Sequence, residues 1–564
     1  METDVELHGK IDVTTLRGRR AVNRWERTSV GDIFERLTWS YPDKVAIRGR
    51  PGAYGEQRFA SVTYRQADQI ANQLAHALAG RGLEPGARVV LFCENSVEAH
   101  LAKIGIAKAG MVAMPLNPGL APDVLEYLLR QAEPGAAIVD AELWPRAQGP
   151  FSAVGVPVAA TITIGGGPVA GSPSFGELLA EQPAGEPEVE IHGDDIWQLL
   201  YTSGTTSMPK GVMISHSTSH LAALNFAASL SCGLGLETEL KVLTALPVIY
   251  HIGEVMPLSA FLVGGSLVLG RRPAPDQLAQ AIAEERATAV WAGSPQFVTA
   301  LNAEAGKSGR DLSSLTVLVY GWGALEPAVY QSLREKAPGL VVLGIFGQTE
   351  AIACHRFWPA KWPEVYARSA PMLNYVGVPS PLLASDVVDE TGASLLGQPN
   401  TPGEAVYRSP IMTAGYYLNE EATREAFRDG WFHSGDSVVV DDDGLRIMVD
   451  RFKDIVKSGG ENVSSLRVEA VLHAHPAVEK AAVIGLPHEH WGEAVTAVVV
   501  PRSGVEVDES VLIAYCRERL AGYETPKAVV FTDALPETVG GKVLKYRLRQ
   551  AHADLFPNRS GAIR

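Results

Sequence analysis

Short apolar segments alternate with segments of helical periodicity along the first two thirds of the chain. The run at 88–93 (RVVLFC), a helical pattern at 97–109 and the run at 110–115 (GMVAMP) are joined by short connections. A strand, a helix and a second strand in this order predict parallel strands with helices on the sheet faces. The run at 135–139 (GAAIV) does not alternate apolar with polar residues, which is typical of a strand buried on both faces. The chain is therefore predicted to be an α/β protein.

The pattern changes in the last third of the chain. Short strands and turns begin at about residue 375, and a compact α+β pattern follows from about residue 450, with helices near 465–474 and 509–520 and strands near 481–485 and 494–500. Because 564 residues are too many for one hydrophobic core, two or more domains are expected. We predict a large N-terminal domain over residues 1–449, with parallel-rich sheets, flanking helices and a small β subregion, and a small mobile α+β C-terminal domain over residues 450–564.

Composition and charge exclude several classes of partner. A net charge of −15 argues against a nucleic acid held through its phosphates, but a local cation can still bind a nucleotide. The most apolar long run, at 257–270, is too short and too glycine-rich to span a bilayer. The N-terminus lacks the apolar core of a signal peptide, and the four scattered cysteines show neither CxxC nor zinc spacing. We therefore expect a cytoplasmic protein without a membrane span.

A run of hydroxyl side chains follows a predicted strand at 196–200 (IWQLL). The segment reads Tyr-Thr-Ser-Gly-Thr-Thr-Ser-Met-Pro-Lys-Gly over residues 201–211. Its hydroxyls and backbone N–H groups donate hydrogen bonds, its glycines let the backbone approach closely, and Lys210 supplies positive charge, a combination that suits a polyphosphate. A mobile surface loop of the same composition is the alternative. Pro209 excludes a Walker A motif, which needs glycine before the lysine.

The same segment resembles the phosphate loop of the adenylate-forming superfamily, which contains acyl-CoA synthetases, adenylation domains of peptide synthetases and firefly luciferase. Ser207 departs from that family, which usually has glycine at this position, and this leaves the detailed path of the loop open. The resemblance implies that ATP is bound by the loop residues Thr202, Ser203, Gly204, Thr205, Thr206 and Lys210.

A second element, Gly-Ile-Phe-Gly-Gln-Thr-Glu over residues 344–350, has the pattern of an apolar strand that ends in a turn and a carboxylate. An isolated glutamate such as Glu350 is most simply an acidic residue in the first turn of a helix. The segment resembles the family's YGxTE element, with Phe346 in place of tyrosine. The resemblance implies that Glu350 holds Mg²⁺, that Thr349 lies near the phosphate and the carboxylate, and that the Phe346 ring lies against the adenine. The expected ATP-binding set then also includes Gly347 and Gln348.

Two further elements resemble the family's nucleotide site. Asp436 ends the sequence His-Ser-Gly-Asp before a predicted strand, a place where a carboxylate is usually a solvated turn residue. The resemblance implies that Asp436 accepts hydrogen bonds from the ribose hydroxyls and that Arg451 assists. Lys542 follows two glycines near the C-terminus, where a lysine is most often simply exposed. It resembles the lysine that binds the attacking carboxylate and the α-phosphate of ATP.

Two stretches are expected to shape an acyl pocket. Tyr250 and His251 match the family's aromatic-histidine element, whose histidine often gates the carboxylate, and a buried structural histidine is the alternative. Where the family commonly has Gly-Gly-Ala, this chain has Gly321, Trp322, Gly323 and Ala324. The indole of Trp322 either floors the pocket and shortens it, or turns away and belongs to the core. The resemblance thus implies catalytic roles for Lys542, Thr349, Glu350 and His251.

The C-terminal region carries residues expected for a second reaction. A loop there resembles the one that lines the pantetheine tunnel after the small domain has rotated, and it consists of Lys457, Ser458, Gly459 and Gly460. One static arrangement serves both adenylation and thioester formation poorly. The small domain is therefore expected to swing about a hinge at Asp450.

The elements occur in the family's order from about residue 30 to 550 and predict an AMP-forming acyl-CoA synthetase. Such an acid–thiol ligase activates a hydrophobic carboxylic acid as acyl-AMP, and it implies ATP, Mg²⁺ and coenzyme A, or a phosphopantetheine carrier in place of CoA. An acyl-AMP ligase, an oxygenase of the luciferase type and a non-catalytic nucleotide-binding protein are the alternatives. An amino-acid-activating domain is disfavoured, because the aspartate that would pair with an α-ammonium group is absent around Tyr250 and His251, where Glu254 is the only acid. A homodimer is compatible with the sequence.

Overall fold

The computed structural model describes residues 27–156, 161–166, 169, 171–202, 208–231, 235–352, 354–537 and 543–556. The helices are α1 (Asp32–Ser40), α2 (Tyr64–Ala79), α3 (Val97–Lys108), α4 (Pro122–Ala132), α5 (Trp144–Val154), α6 (Phe175–Ala180), α7 (His216–Leu230), α8 (Ile252–Leu262), α9 (Pro275–Glu285), α10 (Pro295–Ser308), α11 (Pro327–Lys336), α12 (Pro363–Ser369), α13 (Glu420–Ala426), α14 (Ser465–His473), α15 (Glu509–Arg517) and α16 (Lys545–Ala551).

The strands of the N-terminal region are β1 (Val45–Gly49), β2 (Ser61–Thr63), β3 (Arg88–Phe92), β4 (Val112–Pro115), β5 (Ala136–Asp140), β6 (Thr161–Ile164), β7 (Ile196–Thr202), β8 (Lys210–Ser215), β9 (Lys241–Thr244), β10 (Ser266–Leu269), β11 (Ala289–Trp291), β12 (Val317–Gly321), β13 (Val341–Phe346), β14 (His355–Phe357), β15 (Asn374–Pro379), β16 (Ala384–Val388), β17 (Gly403–Arg408), β18 (Phe427–Arg428), β19 (Trp431–Val440) and β20 (Arg446–Arg451). Those that follow are β21 (Val456–Ser458), β22 (Glu461–Val463), β23 (Val478–His488), β24 (Gly492–Pro501) and β25 (Ala528–Phe531).

The first sheet has the strand order β6-β5-β3-β4-β7-β8. Its strands are parallel except β8, which runs antiparallel to β7. Every residue of β5 is buried, as the absence of alternation at 135–139 predicts. Helices α4 and α5 contribute to an apolar cluster with residues of β3 and β5, and so cover one face of the sheet.

The second sheet is larger, and its strands are mostly parallel in one part and antiparallel in the other. Strands β1, β10, β9, β11, β12 and β13 are parallel neighbours. Beyond β13 the sheet continues through antiparallel pairings in the order β14, β15, β20, β19, β17 and β16. This antiparallel extension is the small β subregion that the change of pattern after residue 375 predicts.

A layer of helices lies between the two sheets. One continuous apolar cluster contains residues of both sheets together with residues of α2, α3, α7 and α8. All residues of α3 are buried, and all but the last of α8 are buried as well. These helices therefore have no solvent face, which explains why their sequences lack a polar stripe. The layer places the start of α8, which directly follows the predicted site residue His251, in the interior.

Helix α2 begins with a reciprocal pair of hydrogen bonds. Thr63 Oγ1 accepts a hydrogen bond from the Gln66 backbone N–H at 3.3 Å, and Gln66 Oε1 accepts one from the Thr63 N–H at 2.9 Å. The two bonds form a capping box, which satisfies two backbone donors at the helix start. Within the described part of the chain, no helix is long and apolar enough to cross a membrane.

The C-terminal region has a sheet of its own. Strands β23 and β24 form a long antiparallel hairpin, and β25 is parallel to β24. The predicted strands at 481–485 and 494–500 are shorter than these, because hairpin pairing extends each strand beyond its apolar centre to polar ends. Helices α14 and α15 pack on one face of this sheet and α16 on the other.

Candidate active site

The predicted phosphate loop connects the last two strands of the first sheet. Thr202, at the end of β7, pairs with Lys210, at the start of β8, and Thr202 Oγ1 donates a hydrogen bond to the Lys210 carbonyl at 3.4 Å. The two ends of the loop are therefore side by side. The predicted site residues between them lie outside the described residues: Ser203, Gly204, Thr205 and Thr206.

A tyrosine links this strand end to the predicted metal ligand. The Lys210 ammonium lies 5.0 Å from the centroid of the Tyr416 ring, and the Tyr416 hydroxyl donates to Glu350 Oε1 at 2.8 Å. The backbone N–H of Thr413 donates to the Glu350 carbonyl at 2.9 Å. Burial, followed by the nearby Glu350 carboxylate, raises the pKa of the Tyr416 hydroxyl, so it stays protonated and acts as the donor. No local sequence signal marks Tyr416 as a contact of Glu350.

Glu350 lies in an irregular loop and not at a helix start. Strand β13 ends at Phe346, and residues 347–350 belong to neither a helix nor a strand. The Gln348 N–H donates to the Ala351 carbonyl at 3.1 Å, and the Ala351 N–H donates back at 3.2 Å. The interpretation of Glu350 as a first-turn acid of a helix is therefore wrong. Phe346 is half-buried at the edge of the cluster formed by the antiparallel extension.

Asp436 lies inside β19 and not before it. The strand begins at Trp431, and Asp436 is opposite Arg451 in the pairing of β19 with β20. Arg451 Nε is 3.4 Å from Asp436 Oδ1. The amide of Gln348 donates to the other carboxylate oxygen of Asp436 and, at 3.0 Å, to the Ser434 carbonyl. The structure thus brings together three of the residues predicted for the nucleotide, from β19, β20 and the loop after β13.

His251 is buried next to the same loop. Its Nδ1 donates to the Thr349 carbonyl at 3.0 Å, and since a carbonyl only accepts, the proton is on Nδ1. Burial lowers the pKa of the His251 imidazole to about 4, so the ring is neutral at physiological pH. The other nitrogen, Nε2, has no partner among the described residues. His251 therefore presents an uncharged ring with a free lone pair.

Trp322 stands in an aromatic cluster. Its ring centroid is 6.4 Å from that of Tyr250 and 5.7 Å from that of Trp291, the latter at an angle of 87°. Trp322 has a φ of +67°, a backbone conformation that favours glycine. The Trp322 side chain remains 47% exposed, which excludes the core alternative. Gly321 ends β12 beside Trp291, because an added Cβ at Gly321 would lie 3.3 Å from that indole. Gly323 and Ala324 continue the chain after the strand.

Comparison with known sequences now identifies the family. The sequence profile of the AMP-binding enzyme family matches residues 34–417. The chain belongs to the AMP-binding enzymes. A second profile, the AMP-binding enzyme C-terminal domain, matches residues 467–542. The family predicted from the motifs is confirmed, and Asp436 and Asp450 lie between the two matched ranges.

Named relatives of this AMP-binding enzyme are CoA ligases. Feruloyl-CoA synthase of an Amycolatopsis species is 35% identical over 500 residues, covering 87% of this chain and 94% of the relative. Long-chain-fatty-acid–CoA ligase FadD13 of Mycobacterium tuberculosis is 30% identical over 522 residues, covering 92% and 99%. The crystal structure of the anthranilate CoA ligase AuaEII in complex with anthranoyl-AMP matches with a TM-score of 0.81 at 27% identity, covering 93% of this chain and 97% of that one. The predicted fold class is confirmed, and the relatives are ligases of the predicted acid–thiol type.

The loop predicted for the pantetheine path is the tip of a hairpin in this AMP-binding enzyme. Lys457 and Ser458 end β21, and Gly459 and Gly460 form the turn to β22, with φ values of +63° and +88°. The Gly459 N–H donates to the Trp491 carbonyl at 2.8 Å, which fixes one side of the turn. An added Cβ at Gly460 would meet nothing within 4 Å, so the other side of the turn faces open space.

Asp450 and Arg451 contact opposite sides of the predicted domain junction. Asp450 Oδ2 accepts from the Ser465 N–H at 2.6 Å and from the Ser465 hydroxyl at 2.5 Å, at the start of α14. Arg451 instead faces Asp436 in the N-terminal region. The position of the domain boundary stays a prediction. Lys542 lies outside the described residues, although Glu537 and Val543 on either side of its segment form a β-bridge.

The chemistry of Glu350 suits a magnesium ion. Its carboxylate is half-buried, one oxygen accepts from Tyr416, and among the described residues no cation forms an ion pair with it within 4.0 Å. Mg²⁺ is commonly held by one or two carboxylates together with substrate phosphates and waters. A carboxylate whose charge is not already neutralised, close to Lys210 at the end of the phosphate loop, fits that pattern.

Proposed function

We propose that this AMP-binding enzyme activates a hydrophobic carboxylic acid with ATP as acyl-AMP and then transfers the acyl group to coenzyme A. The observation that carries the proposal is one connected set of contacts from Lys210 through Tyr416 to Glu350, whose neighbour Thr349 is bonded to His251. Residues proposed for the nucleotide and a residue proposed for the acyl pocket thus contact the same loop, at residues 349–350. The relatives named as CoA ligases support the same reaction.

In the proposed adenylation, the substrate carboxylate attacks the α-phosphorus of ATP and pyrophosphate leaves. Lys210 and the loop that begins at Thr202 would bind the phosphates, because their positive charge and donors match the phosphate oxygens. Glu350 would hold Mg²⁺, which neutralises phosphate charge when bound. Because the His251 ring is neutral, it does not compensate the negative charge of the attacking carboxylate. The proposed role of His251 is therefore to close the acyl pocket near the carboxylate and not to form an ion pair with it.

The nucleotide is proposed to bind across the strands next to this loop. Asp436 offers two oxygens to the ribose hydroxyls, and its present partners Gln348 and Arg451 would hold the carboxylate in place, because each oxygen can accept more than one bond. The ring of Phe346, with Gly347 beside it, would lie against the adenine. This stacking needs only an aromatic face, which phenylalanine supplies as well as tyrosine.

The acid is proposed to be flat and aromatic. The Trp322 ring contacts the rings of Tyr250 and Trp291, and the Trp322 side chain is nearly half exposed. Rings that stack or meet edge to face gain energy beyond the burial of area. Relatives named for feruloyl-CoA and for anthranilate support this choice, whereas a long-chain fatty acid needs a deep tunnel.

Thioester formation is proposed to need a second arrangement of the C-terminal domain, taken as residues 450–564 with the hinge at Asp450. Lys542 would bind the α-phosphate during adenylation. The hairpin tip of Lys457, Ser458, Gly459 and Gly460 would line the path of the pantetheine arm afterwards. Asp450 is bonded to the start of α14 and Arg451 faces Asp436, the residue proposed for the ribose, so a rotation at this junction would break both contacts and they mark one of the two proposed arrangements.

The deciding experiment measures two half-reactions against a panel of acids. ATP–pyrophosphate exchange with ferulate, anthranilate, benzoate, butyrate and palmitate reports adenylation, and thioester formation with CoA is followed separately. We expect exchange with at least one aromatic acid and CoA-dependent consumption of the adenylate. Exchange without a thioester would make the chain an acyl-AMP ligase, and ATP binding without exchange would make it a nucleotide-binding protein. A cytoplasmic location and a homodimer remain predictions.

A further inference from the structure

A lysine and a glutamate face each other in the interior beneath the proposed active site. Lys103 on α3 and Glu254 in the first turn of α8 are 3.7 Å apart, and each side chain is 4% exposed. The Lys103 ammonium also lies 5.3 Å from the centroid of the Trp197 ring. The amide of Gln198, on β7, donates to the same Glu254 oxygen. The pair therefore joins three elements at the centre of the helical layer.

Several polar atoms around the pair have no hydrogen-bond partner among the described residues. They are Lys103 Nζ, the second carboxylate oxygen of Glu254, His100 Nε2 and Gln198 Oε1. The side chains of His100, Lys103 and Glu254 line a cavity that leaves about 20 Å³ for the centre of a water molecule. A buried water needs roughly 10–15 Å³ counted in this way and two to four polar partners. The cavity therefore has room for one water molecule, with polar atoms of the lining side chains as its partners.

The pair is directly connected to His251. The backbone N–H groups of Glu254 and Val255 donate to the His251 carbonyl at 3.1 and 3.0 Å, so Glu254 lies in the first helical turn after His251, the residue that precedes α8. On its other side His251 is bonded to the Thr349 carbonyl, next to Glu350. A displacement of Glu254 would therefore shift the imidazole against the loop that carries the proposed metal ligand.

A second connection leads to the phosphate loop. Gln198, which is bonded to Glu254, lies four residues before Thr202 on the same strand. The pair thus contacts both α8, which directly follows His251, and β7, which leads into the predicted phosphate loop. Desolvating an ion pair in the interior is costly, and a protein with apolar residues of similar size at the same place is often equally stable. Stability alone therefore does not explain why a lysine and a glutamate are present here.

We propose that Lys103 and Glu254, with one buried water, are positioning residues that hold the first turn of α8 and so set His251 at the acyl pocket. This inference rests on the proposed adenylation. Neither side chain touches a reacting group, and both act through the backbone of α8. The proposal predicts that their removal impairs the use of the acid while binding of ATP alone is preserved.

The test compares two lysines on one helix. Lys103→Met and Glu254→Gln are compared with Lys108→Met, because Lys108 is also on α3, is 1% exposed, and pairs with Asp68 and Glu186 away from α8. Melting temperature, ATP binding without acid, and kcat/KM for the preferred acid are measured per folded molecule. We expect Lys103→Met and Glu254→Gln to lower kcat/KM for the acid about tenfold, with ATP binding within about twofold of wild type. Lys108→Met should lower the melting temperature but leave kcat/KM within about twofold.

A readout without substrate separates this inference from the proposed reaction. Nitrogen-15 NMR of labelled histidines reports which nitrogen of His251 carries the proton, and wild type and Lys108→Met should both show the Nδ1–H form. Lys103→Met and Glu254→Gln should show a mixture of the two tautomers. An unchanged tautomer in both variants, or an equal loss of kcat/KM in Lys108→Met, would overturn the inference. If Lys103→Met does not fold, Glu254→Gln alone decides, since it has nearly the same shape. If no acid is adenylated by wild type, the proposed function fails while the NMR comparison still stands.

Discussion

Among the residues that the structure describes, Glu350 is held in place by a hydroxyl group and not by a cation. Tyr416 donates to one carboxylate oxygen, and the Lys210 ammonium lies on the Tyr416 ring. Had a lysine or arginine paired with Glu350 directly, the negative charge needed for a divalent metal would already be compensated. The tyrosine fixes the carboxylate in position and leaves its charge available.

Glu350→Gln should abolish most of the adenylation activity while the fold is retained. The amide keeps the shape and can still accept from Tyr416, but it lacks the charge that would hold Mg²⁺. We expect ATP–pyrophosphate exchange to fall by roughly 10²-fold or more, the usual effect of removing one electrostatic contact to the transition state. Glu335→Gln, on the exposed face of α11, is the control. Exchange at the wild-type rate across a Mg²⁺ titration would contradict the assignment.

Trp322→Gly should widen the acyl pocket without unfolding the protein. Glycine adopts a φ of +67° without steric strain, so the relief of backbone strain offsets the lost aromatic contacts. The free energy of unfolding should therefore stay within about 1 kcal/mol of the wild-type value. The profile of kcat/KM over acids of increasing size should shift toward longer or bulkier acids.

Trp322→Asn provides a second variant for this prediction. Asparagine also tolerates positive φ, and the change removes the indole, so the same shift in acid preference is expected. An unchanged profile in both variants would mean that the indole does not bound the pocket.

At the scale of elements, the hairpin of β21 and β22 combines a fixed side and an open side. Gly459 is bonded to the Trp491 carbonyl and an added Cβ would approach the Trp491 ring to 3.0 Å. Gly460, the next residue, has no atom within 4 Å of such a Cβ. The hairpin therefore presents its tip as backbone, which suits close passage of a narrow chain such as pantetheine.

Gly460→Leu should impair thioester formation and spare adenylation. A leucine at the tip would occupy the space proposed for the pantetheine arm, while the residues around Glu350 are untouched. Gly504→Leu is a matched control, because Gly504 also has positive φ, +77°, and also has nothing within 4 Å of an added Cβ. Pyrophosphate release and thioester formation are followed separately in both variants. An equal loss of thioester formation in the two would mean that strain, and not crowding, causes the defect.

At the scale of the whole molecule, two neighbouring residues face the two regions that the proposed mechanism moves. Asp450 accepts hydrogen bonds from Ser465 at the start of α14, and Lys545 donates to the same Ser465 hydroxyl at 2.5 Å. Arg451 faces Asp436 in the larger region. Contacts across the predicted junction thus include the Asp450–Ser465 bonds and the Arg451–Asp436 pair, and the proposed rotation would have to break both.

Lys542→Ala should suppress formation of acyl-AMP and largely spare the second step. The variant removes a positive charge from the α-phosphate as negative charge develops there, an effect of roughly 3–4 kcal/mol on the barrier. Attack of CoA on acyl-AMP supplied ready-made does not need that charge. The two steps are measured separately, beside Gly460→Leu, whose defect should be the opposite. Equal damage to both steps in Lys542→Ala would contradict a mechanism with two domain arrangements.

Acid should destabilise the molecule because its inner helical layer buries neutral histidines. Burial lowers the pKa of His100 and His216 to about 3 and that of His220 and His251 to about 4. In the unfolded chain these histidines bind protons near pH 6.5, whereas in the folded protein they bind them only at the lower pH values given above. The free energy of unfolding is therefore highest above pH 6.5 and decreases as the pH falls toward 4. Each histidine contributes a slope of about 1.4 kcal/mol per pH unit in this window. Burial of Asp140, whose pKa is raised to about 6, opposes the trend in part.

The measurement is the melting temperature between pH 7.5 and pH 4.5. His216→Asn should make the decline of the melting temperature with falling pH shallower, because unfolding then takes up about one proton fewer. The variant should still fold, since the asparagine oxygen can replace His216 Nδ1 as acceptor for the Val30 N–H. A melting temperature that is constant or rises on acidification would contradict the prediction.

Short stretches of sequence determine much of this protein by themselves. The alternation of apolar runs with helical patterns, the capping box at Thr63 and the glycine turn at 459–460 depend on neighbouring residues, whose period and backbone preferences are local. The order of the family's motifs is likewise a property of the sequence alone. These features were enough to predict the fold class and the family.

Only the tertiary structure decided how the site is connected. The contact of Tyr416 with Glu350 joins residues 66 positions apart, and that of His251 with Thr349 joins residues 98 apart. Glu350 proved to lie in a loop and Asp436 inside a strand, because strand pairing and not local preference sets the register there. The buried partners of Lys103 depend on how α3, α8 and β7 pack between two sheets. Such contacts have no local signal, since any of many polar pairs could be formed until packing excludes water and selects one.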